Sequence, residues 1–422
     1  MRVSTKVLGL GVAATMMLSA CGGGGGSSGS NAQGVTDTEI LIGMAAPTTG
    51  PVAYGGVGGL AGMQAYFDSV NEEGGVNGRK IKVVIEDTAY DPGKTLAAVR
   101  KLWTSEKVFA MPAVFGSAPY LASQSYIGQK KIPSFGWGPS SDVYCQTNDS
   151  SFGLGTRYEI QSGVAVDYMF KDLAKGDKNT KISVVIPDDA YGASILRGAE
   201  AAAEHLGIKL ASVDKVSRTA MEFGSVVGNL TKVAPDYVML VPTRAAAAGI
   251  MKAGEAKGLD TVWFSPSDAT AETAILDLAG PYYADRFYGV TSWSTWDDPD
   301  DKLIALMRKQ LKAAGHDDLI KEKNVFVIFG MVHAAVVTEA LKRAGDNPTQ
   351  ASFVKALAGF KDVDLGGLSA PISYGDGIRL PGKTAKVSKA EKQGDGYVFN
   401  AVTDFRELDY EAPLPEPCKN AA

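Results

Sequence analysis

Histidine and cysteine are scarce in this 422-residue sequence, which has 3 of each. The spacings C-x-x-C and H-E-x-x-H do not occur, so the usual patterns of zinc ligands are missing. Three histidines also leave little material for a catalytic triad built on histidine. We therefore predict no metal site and no catalytic residues. An enzyme built on this chain would have to rely on carboxylates or on a cofactor.

An excess of positive charge is also missing. The chain has 42 Lys and Arg against 47 Asp and Glu, a formal net charge of −5, and no long run of basic residues. Because nucleic-acid binding needs a basic surface patch, we predict no nucleic-acid partner. The motifs G-x-x-x-x-G-K-[ST] and G-x-S-x-G are absent too, so nucleotide hydrolysis and ester hydrolysis have no motif here.

One glycine-rich run is a candidate cofactor site. Gly56-Val-Gly-Gly-Leu-Ala61 fits the loose dinucleotide fingerprint G-x-G-x-x-A. That fingerprint needs its first glycine directly at a strand end, whereas about ten residues, Pro51 among them, separate this run from the preceding predicted strand. We predict no cofactor, and a cofactor-dependent reductase remains as the enzyme alternative.

The first thirty residues have the pattern of an export signal. A charged start precedes an apolar stretch, residues 7–18, that is too short for a permanent membrane span. The stretch leads into Leu-Ser-Ala-Cys21, which resembles the bacterial lipobox. We predict a signal peptide at 1–20, a lipidated Cys21 and a Gly/Ser-rich tether within 21–37. An ordinary signal peptide with a chance cysteine is the alternative.

Two further cysteines, Cys145 and Cys418, would be exported. Extracytoplasmic compartments are oxidising, and cysteine pairs there form disulfides. We predict a Cys145–Cys418 bridge that pins the C-terminal tail, residues 404–422, to the body of the protein. Two free thiols are the alternative.

Apolar segments of strand length alternate with segments of helical periodicity from residue 39 almost to residue 345. The strand segments are apolar on both faces, as in buried parallel sheets. The alternation predicts the α/β class, with doubly wound parallel sheets and right-handed crossovers. The predicted strands are 40–46, 81–86, 108–113, 132–136, 182–187, 209–215, 237–241, 262–265 and 287–292.

These nine strands are too many for one small sheet. Residues 150–157 interrupt the alternation with Gly153 and Gly155, so we predict two α/β lobes that meet at this seam. From Gly366 onward the chain changes to turn-rich segments, which we expect to add antiparallel strands or a sheet edge.

Hydroxylic and aromatic residues follow two of the predicted strands, in the segments Phe115–Tyr120 and Gly136–Ser141. Open α/β sheets bind ligands at the carboxyl ends of their strands. Free N–H groups and serine hydroxyls in such turns can hold a carboxylate without an arginine. Helix capping is the alternative role for Ser117 and Ser140.

The second lobe offers polar residues in equivalent places, namely Asp189, Tyr191, Thr243, Ser267 and Asp268. An acid that faces the hydroxylic turns across a cleft could pair with an ammonium group. We predict Asp268 or Asp189 for this role, with helix capping or a solvated turn as the alternative.

Six segments in order carry a family resemblance that extends over residues 38–400. They are Glu39–Pro51, Tyr54-Gly55, Asn71–Gly78, Glu86–Pro92, Tyr191-Gly192 and Phe223–Tyr237. The sequence resembles the periplasmic substrate-binding proteins of the branched-chain amino acid (Leu/Ile/Val-binding) type, which are partners of ABC importers.

The resemblance implies two Rossmann-like lobes joined by a three-strand hinge, the type I periplasmic binding protein fold. Lobe 1 would comprise 38–153 plus 293–362, and lobe 2 would comprise 156–290 plus 367–403. The lobes would close on a ligand like a jaw.

The resemblance also implies roles for single residues. Ser117 and the segment Gly138–Ser140 would hold a carboxylate, Tyr54 would lie over the pocket mouth, and Tyr191 would follow the first strand of lobe 2. The amine-binding acid would fall at Ser267 or at its neighbour Asp268, and the most direct alignment puts serine there, which departs from the amino acid pattern.

Phe115, Trp137 and Tyr120 give the expected pocket more aromatic bulk than a leucine needs. An amino acid, an aromatic carboxylate and a short amide all stay open as the ligand. We expect a monomeric, membrane-anchored periplasmic protein that delivers such a solute to an ABC permease by hinge closure. A sensor that is read by a membrane signalling receptor is the alternative.

Overall fold

The computed structural model describes residues 32–144, 149–298, 300–369, 371–374 and 379–415. The predicted signal peptide, the lipidation site Cys21 and the predicted bridge between Cys145 and Cys418 lie outside these residues. The strands are β1 (Glu39–Ala46), β2 (Lys80–Asp87), β3 (Ala110–Phe115), β4 (Ser134–Trp137), β5 (Ser151–Phe152), β6 (Ile182–Pro187), β7 (Ser212–Val216), β8 (Tyr237–Leu240), β9 (Val262–Ser265), β10 (Phe287–Thr291), β11 (Lys386–Gln393) and β12 (Gly396–Ala401).

Helices separate most of these strands, and a short π-helical turn, Met169–Leu173, continues the fifth helix. A 3₁₀ turn, Pro281–Tyr283, precedes β10. The α-helices are α1 (Ala53–Glu72), α2 (Pro92–Thr104), α3 (Ser117–Lys130), α4 (Ser141–Tyr144), α5 (Tyr158–Tyr168), α6 (Ala190–His205), α7 (Gly224–Val233), α8 (Arg244–Ala256), α9 (Ala274–Ala279), α10 (Lys302–Ala313), α11 (Asp317–Glu322), α12 (Val325–Ala344) and α13 (Gln350–Ala358).

The strands form two separate sheets, which confirms the prediction of an α/β protein with two lobes. The sheet of lobe 1 has the order β2-β1-β3-β4-β5, and all its pairs are parallel. The sheet of lobe 2 has the order β12-β11-β10-β9-β8-β6-β7. Strands β6 to β10 are parallel, whereas β11 and β12 are antiparallel additions at one edge, as the turn-rich C-terminal segment predicted.

Central and edge strands differ in how they are buried. All six residues of β3 and all six of β6 are buried, as predicted for strands covered on both faces. The prediction is wrong for β2 and β7, which lie at sheet edges and expose part of their side chains. The two-residue strand β5 was not predicted, because it is too short to produce a periodic pattern and lies inside the predicted seam.

The glycine run of the first helix permits close helix packing. It lies inside α1, which packs against α12 in the core of lobe 1. A Cβ added at Gly62 would lie 1.9 Å from the backbone oxygen of Val327, and one added at Gly330 would lie 2.0 Å from that of Gly59. Only glycine permits this approach, so the run belongs to a helix–helix contact and does not form a strand-to-helix turn.

Helix α12 is long and apolar enough to cross a membrane by length and composition. However, 89% of its most apolar window is buried inside the protein. It is therefore a core helix of lobe 1.

Three passages of the chain connect the lobes and contact one another. Thr156 pairs with Gly382 in a parallel bridge, and Trp293 pairs with Ser369 in an antiparallel bridge. The backbone N–H of Thr156 also donates to Oγ of Ser292 over 3.2 Å. These passages form the three-strand hinge of the fold.

Candidate functional site

A cleft lies between the two lobes at the carboxyl ends of the parallel strands, where the fold predicts a ligand site. Its volume is about 500 Å³, including the part that is open to solvent. Eight of its sixteen lining residues are aromatic, so the surface is mainly made of rings. The lining is Val52, Tyr54, Tyr90, Phe115, Gly116, Ser117, Trp137, Tyr158, Tyr191, Arg218, Pro242, Thr243, Ala269, Thr270, Phe326 and Phe329.

Lobe 1 presents the N-terminus of α3 to the cleft. The N-cap residue, Gly116, has φ +93° and no side chain to cap the helix. The first N–H groups of a helix have no partner within the helix and carry partial positive charge. Ser117 is 1% exposed, lines the cleft, and its Oγ has no hydrogen-bond partner among the described residues. This hydroxyl is therefore available to a ligand, and the capping alternative does not describe it.

Gly138 brings the end of β4 close to the same helix. A Cβ at this position would lie 2.6 Å from Oγ and 3.0 Å from N of Ser117. Glycine at 138 thus leaves room around the serine hydroxyl.

Aromatic rings continue the wall of lobe 1. The ring of Phe115 lies 5.9 Å from Trp137 and 5.1 Å from Phe326, between centroids. Phe329 lies 6.1 Å from Trp137, and Tyr54 lies 5.7 Å from Phe326. Such tilted and edge-to-face contacts stabilise a rigid apolar surface.

Lobe 2 presents a cation, Arg218, in the loop after β7. Its Nε donates to Oδ2 of Asp189 over 2.6 Å, and this is the guanidinium's one hydrogen bond to the described residues. The guanidinium carbon lies 4.4 Å from the ring centroid of Tyr90 and 5.6 Å from that of Tyr191. Burial lowers the pKa of Arg218, but the Tyr90 phenol and the Asp189 carboxylate raise it by more, so the side chain stays charged.

Hydroxyl groups of lobe 2 are mostly bonded to each other. The Tyr191 hydroxyl lies 2.6 Å from Oγ of Ser267 and 3.5 Å from Oγ1 of Thr270. Burial raises the pKa of Tyr191 to about 12, although the bond to Ser267 opposes this, so the phenol keeps its proton. Thr243 is the N-cap of α8, makes no side-chain cap bond and lines the cleft.

The acids near the cleft are engaged elsewhere. Asp189 accepts from the backbone N–H of Gly192 as the N-cap of α6, in addition to its pair with Arg218. Glu272 pairs with Arg244 over 2.7 Å. Asp268 is fully buried and accepts hydrogen bonds from both the backbone N–H and Oγ of Ser292, on a passage between the lobes. Among the described residues, the lining contains no Asp or Glu.

The structure brings six of the ten predicted ligand-binding residues into the lining. These are Tyr54, Phe115, Ser117, Trp137, Tyr191 and Thr243. Gly138 lies directly behind Ser117. Ser267 lies one layer further back, bonded to Tyr191, and Asp268 is turned to the hinge.

The predicted residue Ser140 makes a contact between the lobes. Its Oγ lies 2.8 Å from Oγ of Ser194 in α6 and donates to Asp142 over 3.0 Å. Asp142 also pairs with Arg197 of α6. Ser140 therefore belongs to a contact between the lobes and lies outside the cleft lining.

Ten of the sixteen lining residues were not predicted as binding residues from sequence, and the five of these that are aromatic or charged are Tyr90, Tyr158, Arg218, Phe326 and Phe329. Tyr90 has a positive φ of 62°, which is uncommon for tyrosine. No sequence pattern predicts this conformation. Arg218 follows a strand end, and that position was the available signal.

Comparison with known sequences identifies one family. The profile of the family described as "Periplasmic binding protein" matches residues 39–394. A protein called Leu/Ile/Val-binding protein homolog 1, from Brucella abortus, is 26% identical over 361 residues, which cover 85% of this chain and 92% of that protein. A leucine-, isoleucine-, valine-, threonine- and alanine-binding protein of Pseudomonas aeruginosa is 22% identical over 307 residues, 73% of this chain and 79% of that one.

Comparison with solved structures agrees. A fatty acid ABC transporter substrate-binding protein from Thermomonospora curvata superposes with a TM-score of 0.77 at 25% identity, covering 91% of this chain and 97% of that one. A branched chain amino acid ABC transporter protein from Thermus thermophilus, with bound valine, has a TM-score of 0.77 at 19% identity, covering 88% and 97%. With this fold and a cleft at the strand ends, the chain belongs to the periplasmic binding protein family, in the type that includes the Leu/Ile/Val-binding proteins.

Proposed function

We propose that this protein is a solute receptor that binds a small carboxylate-bearing molecule between its lobes and delivers it to an ABC importer. The observation that carries the proposal is the buried Ser117 hydroxyl, which has no hydrogen-bond partner in the described part of the chain and lines the cleft at the start of α3. Relatives named for amino acids and for a fatty acid support a carboxylate-bearing solute. None of the named relatives favours the sensor alternative or a catalytic role.

The mechanism that we propose is hinge closure. Ser117 comes from lobe 1, whereas Tyr191, Arg218 and Thr243 come from lobe 2. A ligand that contacts both groups binds the closed form more tightly than the open one. This difference in affinity increases the population of the closed form.

Contacts between the lobes outside the cleft would set how readily it closes. On one side, Ser140 faces Ser194, and Asp142 pairs with Arg197. Elsewhere, Nη1 of Arg244 lies 3.1 Å from a carboxylate oxygen of Glu322. Because the two ion pairs are partly exposed, each of them adds little to closure in the absence of ligand.

We further propose the lobe boundaries implied by the family. Lobe 1 would comprise residues 38–153 plus 293–362, and lobe 2 would comprise 156–290 plus 367–403. The packing of α12 against α1 supports the assignment of α12 to lobe 1.

Lipidation at Cys21 and a Cys145–Cys418 bridge complete the proposal. Both follow from sequence, and the anchor would keep the protein beside its permease. Metabolic labelling with a palmitate analogue should label the natural protein and not a Cys21→Ala variant, and thiol titration of the denatured, unreduced Cys21→Ala protein should find no free thiol. Absence of label, or two reactive thiols, would contradict these two points separately.

The test of the main proposal is a thermal-shift screen of the protein lacking residues 1–21. Amino acids, aromatic acids, fatty acids and the corresponding amides would be tested, since a ligand that binds only the folded state raises Tm. We expect stabilisation by a subset of the acids. If no small solute stabilises the protein, the proposal fails.

A further inference from the structure

The cleft offers donors for an anion, and its described lining residues include no carboxylate that could pair with an ammonium group. On this basis we propose that the ligand is an apolar, ring-bearing or branched monocarboxylate that carries no α-ammonium group, and that Arg218 is a specificity-determining residue. The inference rests on the proposed receptor function and narrows its substrate class.

Two independent groups in the cleft favour an anion. Ser117 supplies the N-terminus of a 14-residue helix and a buried hydroxyl that no other described residue bonds. Arg218 supplies a guanidinium of which only Nε is bonded to a described residue, so its two terminal nitrogens stay available to a ligand. Charge-assisted hydrogen bonds from such donors are about twice as strong as neutral ones.

The two groups lie around one side chain, Tyr90. A Cβ placed on Gly116, next to Ser117, would lie 2.5 Å from Cε2 of Tyr90, and the guanidinium of Arg218 lies 4.4 Å from the centroid of the same ring. The helix terminus and the cation therefore both lie against a single aromatic residue of the lining, and we place the carboxylate of the ligand at this end of the cleft.

An ammonium group would meet no counter-charge at this place. The lining contains no Asp or Glu within the described part of the chain. The three nearby acids are Asp189, bonded to Arg218 and Gly192, Glu272, bonded to Arg244, and Asp268, bonded to Ser292. A buried charge without a partner is costly, and the one charged side chain among the described lining residues is a cation, Arg218.

The remaining surface suits an apolar body. Phe115, Trp137, Phe326 and Phe329 form a continuous set of rings, in which each member lies 5.1 to 6.1 Å from another. Burial of an apolar ligand body against such a surface contributes binding affinity but does not require a particular orientation. The polar groups at the Ser117 and Arg218 end of the cleft therefore determine which ligands are selected.

Four ligands that differ only in polar groups test the inference by titration calorimetry. They are 3-phenylpropanoate, L-phenylalanine, 3-phenylpropanamide and 2-phenylethylamine, and a second series uses 4-methylpentanoate, L-leucine and 4-methylpentanamide. We expect the carboxylates without an amine to bind at least tenfold more tightly than the matching amino acids, amides and amine. Equal or tighter binding of the amino acids would overturn the inference but leave the receptor function intact.

A variant that adds the missing acid tests the same point from the other side. Thr243 lines the cleft at the N-cap of α8, a position where Asp is favoured. Thr243→Asp should raise the affinity for L-phenylalanine relative to that for 3-phenylpropanoate by about tenfold. Thr243→Asn introduces a side chain of the same size as aspartate but without its charge, and it should leave this ratio unchanged. A similar ratio in both variants would contradict the requirement for a counter-charge.

Arg218→Gln, with Tm measured to confirm folding, completes the experiment. It should weaken 3-phenylpropanoate at least tenfold and leave 3-phenylpropanamide within about twofold. An equal loss of affinity for the acid and for the amide would exclude Arg218 as the residue that recognises the charge of the ligand. If no member of either series and no solute of the thermal-shift screen binds, the receptor function fails together with this inference.

Discussion

The guanidinium carbon of Arg218 lies 4.4 Å from the ring centroid of Tyr90, and this contact joins the two lobes across the cleft. Arg218 follows β7 of the second sheet, whereas Tyr90 follows β2 of the first. The ring therefore belongs to lobe 1 and the cation to lobe 2.

Removal of the Tyr90 ring should weaken closure. A cation–π contact is worth about 0.5–1 kcal/mol when it is exposed and about 2 kcal/mol when it is desolvated, so Tyr90→Ala should lower ligand affinity roughly twofold to thirtyfold. Tyr90→Phe keeps the ring and should stay within about twofold of the natural protein. Calorimetry gives the affinity, and small-angle X-ray scattering with ligand should show a larger radius of gyration for Tyr90→Ala. Identical behaviour of the two variants would exclude the ring as the joining element.

Loss of the Ser117 hydroxyl should affect carboxylates selectively. A hydrogen bond to a charged group contributes about 1.5–3 kcal/mol, so Ser117→Ala should weaken a bound acid roughly tenfold to hundredfold. Tm without ligand should not fall, because the buried hydroxyl has no described partner to lose. The control is Ser123→Ala on the same helix, a buried serine bonded to the backbone of Pro119. Equal affinities in the two variants would disprove the role of Ser117.

Asp268 should make stability depend on pH. Burial raises the pKa of its carboxyl to about 7 against the bonds from Ser292, while the ordinary value is 3.8. Between these values the folded state binds the extra proton, so the free energy of unfolding falls as pH rises, by at most about 1.4 kcal/mol per pH unit. Above about pH 7 this contribution is constant.

The measurement is urea unfolding at pH 4.5 and 6.5 of the natural protein and of Asp268→Asn. Because asparagine does not titrate, the free energy of unfolding of the variant relative to the natural protein should rise by about 2 kcal/mol over this interval. The exposed Asp300→Asn serves as the control and should show no comparable change. Parallel pH profiles for the natural protein and Asp268→Asn would refute the assignment.

The contact between α1 and α12 should not tolerate a methyl group. Gly330→Ala places a Cβ 2.0 Å from the backbone oxygen of Gly59, and such overpacking costs about 1–3 kcal/mol or more. Gly228→Ala in α7 meets no atom within 4 Å, and it should stabilise by about 0.5–1 kcal/mol because alanine loses less backbone entropy in a helix. Thermal or urea unfolding would compare them. A Gly330→Ala protein as stable as the natural one would contradict this helix contact.

Local patterns were enough to predict the architecture. Segments such as 40–46 and 182–187 are apolar over the length of a typical strand. Their alternation with amphipathic segments is compatible with few folds other than parallel α/β lobes. The same reasoning placed Ser117 and Thr243 at strand ends, and both line the cleft.

The direction of side chains at strand ends required the tertiary structure. Ser267 and Asp268 follow β9 as Ser117 follows β3, yet one bonds to Tyr191 behind the lining and the other turns to the hinge. A sequence shows that a residue follows a strand, but the turn conformation and the neighbouring strands decide which way it points. Such contacts join residues that are far apart in the chain.

By itself, the sequence determined the α/β class, the two lobes and the edge of the sheets at which a ligand would bind, because these follow from local periodicity and from rules of chain connection. Only the tertiary structure decided that Arg218 enters the cleft, that Asp189 and Asp268 are engaged elsewhere, and that the glycines of α1 face α12. These features depend on distances between segments that local patterns do not encode. The charge balance of the cleft is therefore a property of the folded molecule.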